Sequence, residues 1–283
     1  MTALTTVPPL WQSLVVAALA RKPAIRAERE IDLEKASYQL EGPAVVARGL
    51  VRFFALPVES IPLVAWYVVA QRAQLAYMTA RSFPFSAIGT IHVANTIELF
   101  DEVDPYTRLQ ADVRLGNQSL TSTGRRFSLI VTLKSVAGSA VVSSDYIARD
   151  PRLKSERKTV AEQPNPPSAE AQRLEYSTDL GRRYARVAGD YNPIHLAAVL
   201  ARPLGFRHAI AHGMCTFGFA SAILARRLQG EQRFGQVDFK RPIPLPSRPT
   251  FFVDSGPLST FEVWSDDQTE RHASGSFRVH KDI

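Results

Sequence analysis

The chain has 283 residues, of which 45% are hydrophobic, so it can form one large domain or two medium ones with a buried core. Its one cysteine, Cys215, excludes an intramolecular disulfide and fits a reducing compartment. The net charge of +7 comes from dispersed cations without a long basic run or an RNP-like motif, which argues against a nucleic-acid-binding protein.

The most apolar stretch near the start of the chain is Leu10 to Ala20, which contains Gln12 and Ser13. It is shorter than the roughly 18 to 20 apolar residues of a membrane span. No basic region precedes it, since Arg21 and Lys22 come afterwards. We therefore predict an amphipathic helix and neither a signal peptide nor a membrane span, and we expect a cytoplasmic protein.

The first half, residues 1–150, contains one long predicted helix and a series of strands. Ile61 to Thr79 is apolar, and Pro62 suits a first helical turn. An extended piece is expected before it, from Val45 to Phe54. Strand-like segments follow at Thr90 to Leu99, Thr107 to Leu115, Arg125 to Lys134 and Ala140 to Ala148.

A proline-rich stretch separates the two halves. Charged and small residues surround Pro151, Pro164, Pro166 and Pro167. This composition predicts an exposed linker at residues 151–172.

The second half, residues 173–283, repeats the order of elements. An extended piece at Arg173 to Thr178 precedes a short helix, Leu180 to Ala188, with Asp179 at its N-cap and Gly189 as its stop. A long helix is predicted at Gly213 to Leu228. Strands are predicted at Gln232 to Lys240, Thr250 to Ser255, Leu258 to Trp264 and His272 to His280. The plan favours an α+β fold in which each half packs a long helix against a curved antiparallel sheet.

A carboxylate and an imidazole stand five residues apart after the short helix, at Asp190 and His195, with Asn192 between them. Pro193 disfavours helix at Asn192, so we expect an ordered loop. Such a loop can curl so that Asp190 and His195 face one small site.

His212 and Gly213 stand where the second long helix is predicted to begin. A helix N-terminus exposes N–H groups that carry partial positive charge. A glycine lets another group approach the backbone closely. Gly213 is therefore suited to donate a hydrogen bond to a carbonyl oxygen on which negative charge develops.

These segments resemble the signatures of the MaoC-like dehydratases. Tyr184 and the run Gly189-Asp190-Tyr191-Asn192-Pro193-Ile194-His195 resemble the hydratase-2 motif, and Gly205-Phe206 with Ala211-His212-Gly213-Met214 is similar to the second signature. Together they cover Tyr184 to Gly218. The first half, around Phe83 to Val93, resembles the degenerate N-terminal domain of two-domain members, especially the mycobacterial-type (3R)-hydroxyacyl thioester dehydratases.

The resemblance implies a double hot-dog fold, whose two sheets can join into one continuous sheet. Residues 1–150 would form a degenerate hot-dog that binds the acyl chain, with Trp66, Tyr67 and Tyr77 lining its tunnel. Residues 173–283 would form the catalytic hot-dog, so one active site per chain is expected.

The resemblance also implies a hydro-lyase of fatty-acid metabolism without a cofactor. It would be a (3R)-hydroxyacyl thioester dehydratase, or in reverse a trans-2-enoyl thioester hydratase, acting on acyl-CoA or acyl carrier protein. Asp190 and His195 would hold and activate one water, Asn192 would orient them, and the Gly213 N–H would polarise the carbonyl. How the acid and base roles divide between Asp190 and His195 stays open, and a homodimer is compatible with this reading.

Further candidates for substrate binding are His212, Lys240, Arg241 and Arg207. Lys240 and Arg241 are equally compatible with a solvated strand end, and His212 with a hydrogen bond to a loop. His208 and His212 are four residues apart, but there is no His-Glu-x-x-His pattern or cysteine cluster, so no metal is expected.

Two other functions belong to different classes of protein. A non-catalytic acyl-thioester-binding subunit would carry a damaged Asp/His pair, whereas Asp190 and His195 are both present. A hot-dog thioesterase would place a carboxylate on the long helix, whereas Gly213 to Leu228 contains neither Asp nor Glu.

Overall fold

The structure is a computed structural model that describes residues 5–7, 31–57, 60–87, 90–149, 165–228, 230–256 and 258–280. Two compact units are present. The first comprises Met1–Val45 and Trp66–Thr159, and the second comprises Val46–Ala65 and Val160–Ile283. The sequence predicts a division of the chain near residue 150. In the structure, residues 46–65 also belong to the second unit.

Among its described residues, the first unit contains six strands and most of one long helix, α2 (Leu63–Thr79). The strands are β1 (Thr5–Thr6), β2 (Ala36–Leu40), β3 (Thr90–Asp101), β4 (Leu109–Thr121), β5 (Gly124–Lys134) and β6 (Gly138–Arg149). They are ordered β1-β2-β4-β5-β6-β3, and all pairs are antiparallel except β1 with β2. The predicted long helix and its four following strands are confirmed.

The core of the first unit follows from the period-two alternation of β5. Phe127, Leu129 and Val131 occupy alternate positions and are fully buried, as expected for one face of a pleated strand. Helix α2 lies against this sheet, since Gln74 Nε2 donates to Ser144 Oγ at 2.9 Å.

The three aromatic residues predicted to line an acyl tunnel are buried in this structure. Tyr67 stacks on His92 with ring centroids 5.6 Å apart, and the Tyr77 hydroxyl donates to the Glu34 carbonyl at 3.0 Å. Trp66 is also buried, and it is the first residue of α2 that belongs to the first unit. Their role in binding an acyl chain stays a prediction.

In the described part of the second unit there are five strands, β7 (Ala171–Arg173), β8 (Glu231–Phe239), β9 (Thr250–Asp254), β10 (Ser259–Trp264) and β11 (Arg271–His280). They form antiparallel pairs in the order β8-β11-β10-β9-β7. The helices after β7 are α3 (Leu180–Ala188), α4 (Pro193–Leu196), α5 (Ala198–Ala201), a 3-10 turn (Arg202–Leu204) and α6 (Gly213–Ala225). Helix α6 packs on the sheet through Phe217, whose ring centroid is 4.9 Å from that of Phe277.

The predicted extended piece from Val45 to Phe54 is wrong, because this segment is helix α1 (Ala44–Phe54). Its buried residues Ala47, Leu50, Val51 and Phe54 recur at spacings of three and four, which is the helical period. Most of α1 belongs to the second unit, where the Phe54 ring lies 5.0 Å from that of Phe219.

The predicted helix from Leu10 to Ala20 and most of the predicted linker, at residues 151–164, lie outside the described residues. Within the part of the chain that the structure describes, no helix is long and apolar enough to cross a membrane.

Candidate active site

Helix α3 directly precedes the loop that contains Asp190, and it ends where the sequence predicts. Gly189 adopts the left-handed conformation with φ of 76°, and its N–H donates to the Ala185 carbonyl at 2.8 Å. Glycine adopts this conformation without steric cost, so it terminates the helix. Asp179 occupies the N-cap position, but its carboxylate accepts from Ser177 Oγ at 2.6 Å instead of from the helix.

The loop after Gly189 is ordered by its own side chains. Asp190 Oδ1 accepts a hydrogen bond from the Asn192 N–H at 3.1 Å. Asn192 Oδ1 then accepts from the Ile194 N–H at 3.4 Å and caps the short helix α4, whose first residue is Pro193. The expected loop therefore ends at Asn192, because proline favours the first position of a helix.

His195 is held by one of its ring nitrogens. Its Nδ1 lies 2.8 Å from the Ile210 carbonyl oxygen, and the residue is 9% exposed. A carbonyl oxygen can only accept, so Nδ1 carries the hydrogen and the neutral ring has its lone pair on Nε2. His195 can therefore accept a proton at Nε2 without losing the contact that holds it.

His212 contacts both predicted catalytic residues. Its Nε2–H donates to the Asp190 carbonyl oxygen at 3.0 Å, and its ring stacks on that of His195 with centroids 3.8 Å apart. The side chain is 2% exposed, and Nδ1 has no hydrogen-bond partner among the described residues. Burial lowers the pKa of His212, although the Asp190 carboxylate opposes this shift, so the ring is neutral near pH 7.

Gly213 begins helix α6, and its backbone N–H has no partner within the helix because of its position. The N–H groups of Cys215 and Thr216 both donate to the carbonyl of His212, the N-cap residue. A Cβ on Gly213 would come within 2.7 to 2.9 Å of three ring carbons of Phe239. Phe239 at the end of β8 is thus part of the site, and the sequence gives no signal for it beyond an aromatic residue at a strand end.

Two further buried groups are Tyr184, which contacts His212, and Cys215 in the first turn of α6. The Tyr184 ring centroid lies 4.9 Å from that of His212, and burial raises the pKa of its hydroxyl well above the ordinary range. Cys215 is fully buried, and burial likewise raises the pKa of its thiol, which makes it a poor nucleophile.

Asp190, His195 and His212 place possible metal-ligating atoms within 4.8 Å of one another. The two imidazoles lie at an interplanar angle of only 27°, so their in-plane lone pairs run side by side instead of meeting at one point. One ring nitrogen of each also faces a carbonyl. This arrangement fits proton handling better than coordination of an ion, and the expected absence of a metal stays a prediction.

The predicted basic contacts are all exposed. Lys240 Nζ lies 3.4 Å from an Asp238 carboxylate oxygen, and Arg241 Nη1 lies 2.7 Å from Glu270 Oε1. They are the two residues after Phe239, whose ring lies against Gly213 at the start of α6. Arg207 is exposed in the segment before α6. A role for these three cations in substrate binding stays a prediction.

Comparison with known proteins shows related sequences and folds. Residues 155–252 match the family described as MaoC like domain. The chain is 28% identical over 203 residues to 3-hydroxyacyl-thioester dehydratase X of Mycobacterium tuberculosis, which covers 69% of this chain and 70% of that protein. It is 24% identical over 248 residues to peroxisomal multifunctional enzyme type 2 of Mus musculus, covering 81% of this chain and 31% of that protein.

The crystal structure of HtdX of Mycobacterium tuberculosis matches with a TM-score of 0.72 at 23% identity. The match covers 87% of this chain and 100% of that chain. The two proteins therefore share a fold.

Proposed function

We propose that this chain, whose residues 155–252 match the MaoC like domain and whose fold matches that of HtdX, is a hydro-lyase of acyl thioesters. It hydrates trans-2-enoyl thioesters to (3R)-hydroxyacyl thioesters and catalyses the reverse dehydration. The observation that carries the proposal is the hydrogen bond from His195 Nδ1 to the Ile210 carbonyl, which puts the lone pair of the neutral ring on Nε2, the basic nitrogen.

In the proposed reaction Asp190 and His195 hold one water. As the water oxygen bonds to C3 of the enoyl group, the two residues take one proton from the water and return one proton to C2, and the double bond becomes single. Electron density moves to the thioester oxygen during this step. The Gly213 N–H at the start of α6 stabilises that charge, because helix N-termini carry partial positive charge.

His212 acts in this proposal by positioning its neighbours. The sequence leaves two roles open for His212, substrate contact and a hydrogen bond to a loop, and its burial and its hydrogen bond to the Asp190 carbonyl favour the second. Because the neutral ring stacks on His195, it fixes the plane of the base without adding a second positive charge beside it. Asn192 supports the same loop by capping α4.

The proposed substrates are acyl-CoA or acyl carrier protein thioesters of fatty-acid metabolism. Exposed Lys240, Arg241 and Arg207 would attract the phosphates of either carrier. Binding of the acyl chain by the first unit, assembly into a homodimer and a cytoplasmic location are further proposals. The location is supported by the single cysteine.

The test uses the full chain with short and long trans-2-enoyl-CoAs and the same acyl groups on acyl carrier protein. Loss of enoyl absorbance, product chirality and release of free thiol are measured together. We expect (3R) products, no thiol release, and a fall in kcat of about 10²- to 10⁴-fold for His195→Gln. The exposed His208→Gln is the matched control and should retain wild-type kcat.

Two results would contradict the proposal. Binding of enoyl thioester without turnover by the wild-type chain would support the non-catalytic subunit instead. Release of free thiol as the main reaction would support a thioesterase, although Gly213–Ala225 contains neither Asp nor Glu.

A further inference from the structure

Gly181, the second residue of α3, lies directly against the backbone of His195. A Cβ on Gly181 would overlap the His195 carbonyl oxygen and lie 2.9 Å from the carbonyl carbon, inside the 3.0 Å that real Cβ atoms keep. Glycine in a helix is less favourable than alanine by roughly 0.8 to 1.0 kcal/mol. The close approach of His195 supplies a tertiary reason for glycine at this position.

A second helical glycine of the same unit shows that this contact is specific. Gly49 lies in α1, where a Cβ would meet Val187 side-chain carbons at 3.5 and 3.6 Å. Those are ordinary van der Waals distances, so Gly49 can accept a methyl group. Gly181 cannot accept one unless the backbone of His195 moves.

Arg182, the next residue of α3, holds the next carbonyl of the same turn. Its Nη1 donates to the Leu196 carbonyl oxygen at 2.8 Å from an exposed side chain. Consecutive residues of α3 therefore contact consecutive carbonyls of α4, those of His195 and Leu196.

The opposite side of this turn is held by Ile210. Its N–H donates to the Ile194 carbonyl at 3.0 Å, and its own carbonyl accepts from His195 Nδ1 at 2.8 Å. The turn that carries His195 is thus fixed between α3 on one side and Ile210 on the other.

We propose that Gly181 and Arg182 are positioning residues that set the place of the His195 imidazole in the hydration reaction. A methyl group at position 181 displaces the His195 carbonyl by about 1 Å, and a displacement of that size can cost on the order of 10²-fold in rate. The displacement also strains the bond from His195 Nδ1 to the Ile210 carbonyl. This inference rests on the proposed function, because that function makes His195 a catalytic residue.

The test compares Gly181→Ala with Gly49→Ala in the full chain. For Gly181→Ala we expect kcat to fall by about 10- to 100-fold while KM changes by less than about threefold. For Gly49→Ala we expect kcat within about twofold of wild type. Long-range ¹H–¹⁵N NMR of the histidine rings gives a second readout, in which only Gly181→Ala shifts the Nδ1 and Nε2 signals of His195.

The outcomes separate this inference from the proposed function. A folded Gly181→Ala protein with wild-type kcat and unchanged His195 signals would overturn the inference. If the wild-type chain lacks hydratase activity, the proposed function fails, and the His195 signals in the two alanine variants still test the contact with Gly181.

A second pair of variants keeps the test open if Gly181→Ala does not fold. Arg182→Met removes the donor to Leu196 without introducing a clash, and Arg186→Met in the same helix is its control, since both arginines are exposed. We expect a reduced kcat and shifted His195 signals for Arg182→Met alone. Equal kcat values and equal signals in both methionine variants would then overturn the inference.

Discussion

Asp190→Asn separates the charge of Asp190 from its structural role. Asp190 Oδ1 accepts the Asn192 N–H at 3.1 Å, and the amide oxygen of asparagine can accept the same bond. The backbone carbonyl that receives the His212 Nε2–H is unchanged. The substitution therefore removes a negative charge while the turn that carries it stays intact.

The expected loss in kcat is about 10²- to 10⁴-fold, the usual contribution of one general acid or base. At about 1.36 kcal/mol per tenfold change, this corresponds to about 2.7 to 5.4 kcal/mol of transition-state stabilisation. The free energy of unfolding should change by less than about 1 kcal/mol, because the hydrogen bond of the turn is kept. Asp190→Ala loses that bond as well, and should destabilise the fold by about 0.5 to 1.5 kcal/mol more.

The assay is steady-state hydration of a trans-2-enoyl-CoA, with thermal unfolding measured on the same samples. Asp104→Asn is the matched control, since Asp104 Oδ1 accepts the Tyr106 N–H at 2.8 Å in an equivalent turn of the first unit. The control should leave kcat unchanged. A folded Asp190→Asn enzyme with kcat within about threefold of wild type would refute the reasoning.

Three further predictions concern Gly213, His212 and the two cations that follow β8. Gly213→Ala should lower kcat at least about tenfold and destabilise the fold by about 1 to 3 kcal/mol, because the new methyl group must displace the Phe239 ring. Steady-state kinetics measures the first effect and thermal unfolding the second, and wild-type values in these assays would contradict the steric argument. Burial lowers the pKa of His212 below 6.5, so the unfolded chain takes up the proton first and stability falls as the pH drops below about 6.5. His212→Gln should reduce this pH dependence in urea unfolding, and equal slopes for both proteins would contradict it. The double variant Lys240→Gln, Arg241→Gln should raise KM for CoA substrates severalfold with kcat unchanged, and an unchanged KM at low salt would exclude a role in carrier binding.

Local signals were sufficient to predict several elements of the second unit. Helix α3 and its end at Gly189 follow from its buried spacing and from a glycine that accepts a positive φ. The same local rules predict a turn at Asn192-Pro193, and the structure shows Asn192 capping α4. These predictions succeed because they depend on residues within a few positions of one another.

Helix α1 shows where local interpretation fails. Leu50, Val51 and Phe54 have helical spacing. The segment is also short and rich in β-branched and aromatic residues, and these local features favour an extended piece. Packing decided the matter, because the Phe53 and Phe54 rings lie against Tyr184 and Phe219, which are far away in the chain.

The sequence by itself determined which residue types can carry the chemistry, since Asp190, Asn192 and His195 stand in one short run and Gly213 begins the next long helix. Only the tertiary structure decided which ring nitrogen of His195 and which of His212 carries the hydrogen. The His195 bond to Ile210 joins residues 15 apart, and the His212 bond to Asp190 joins residues 22 apart. Such contacts depend on how the loop, α3 and α6 pack together, and therefore no local pattern in the sequence specifies them.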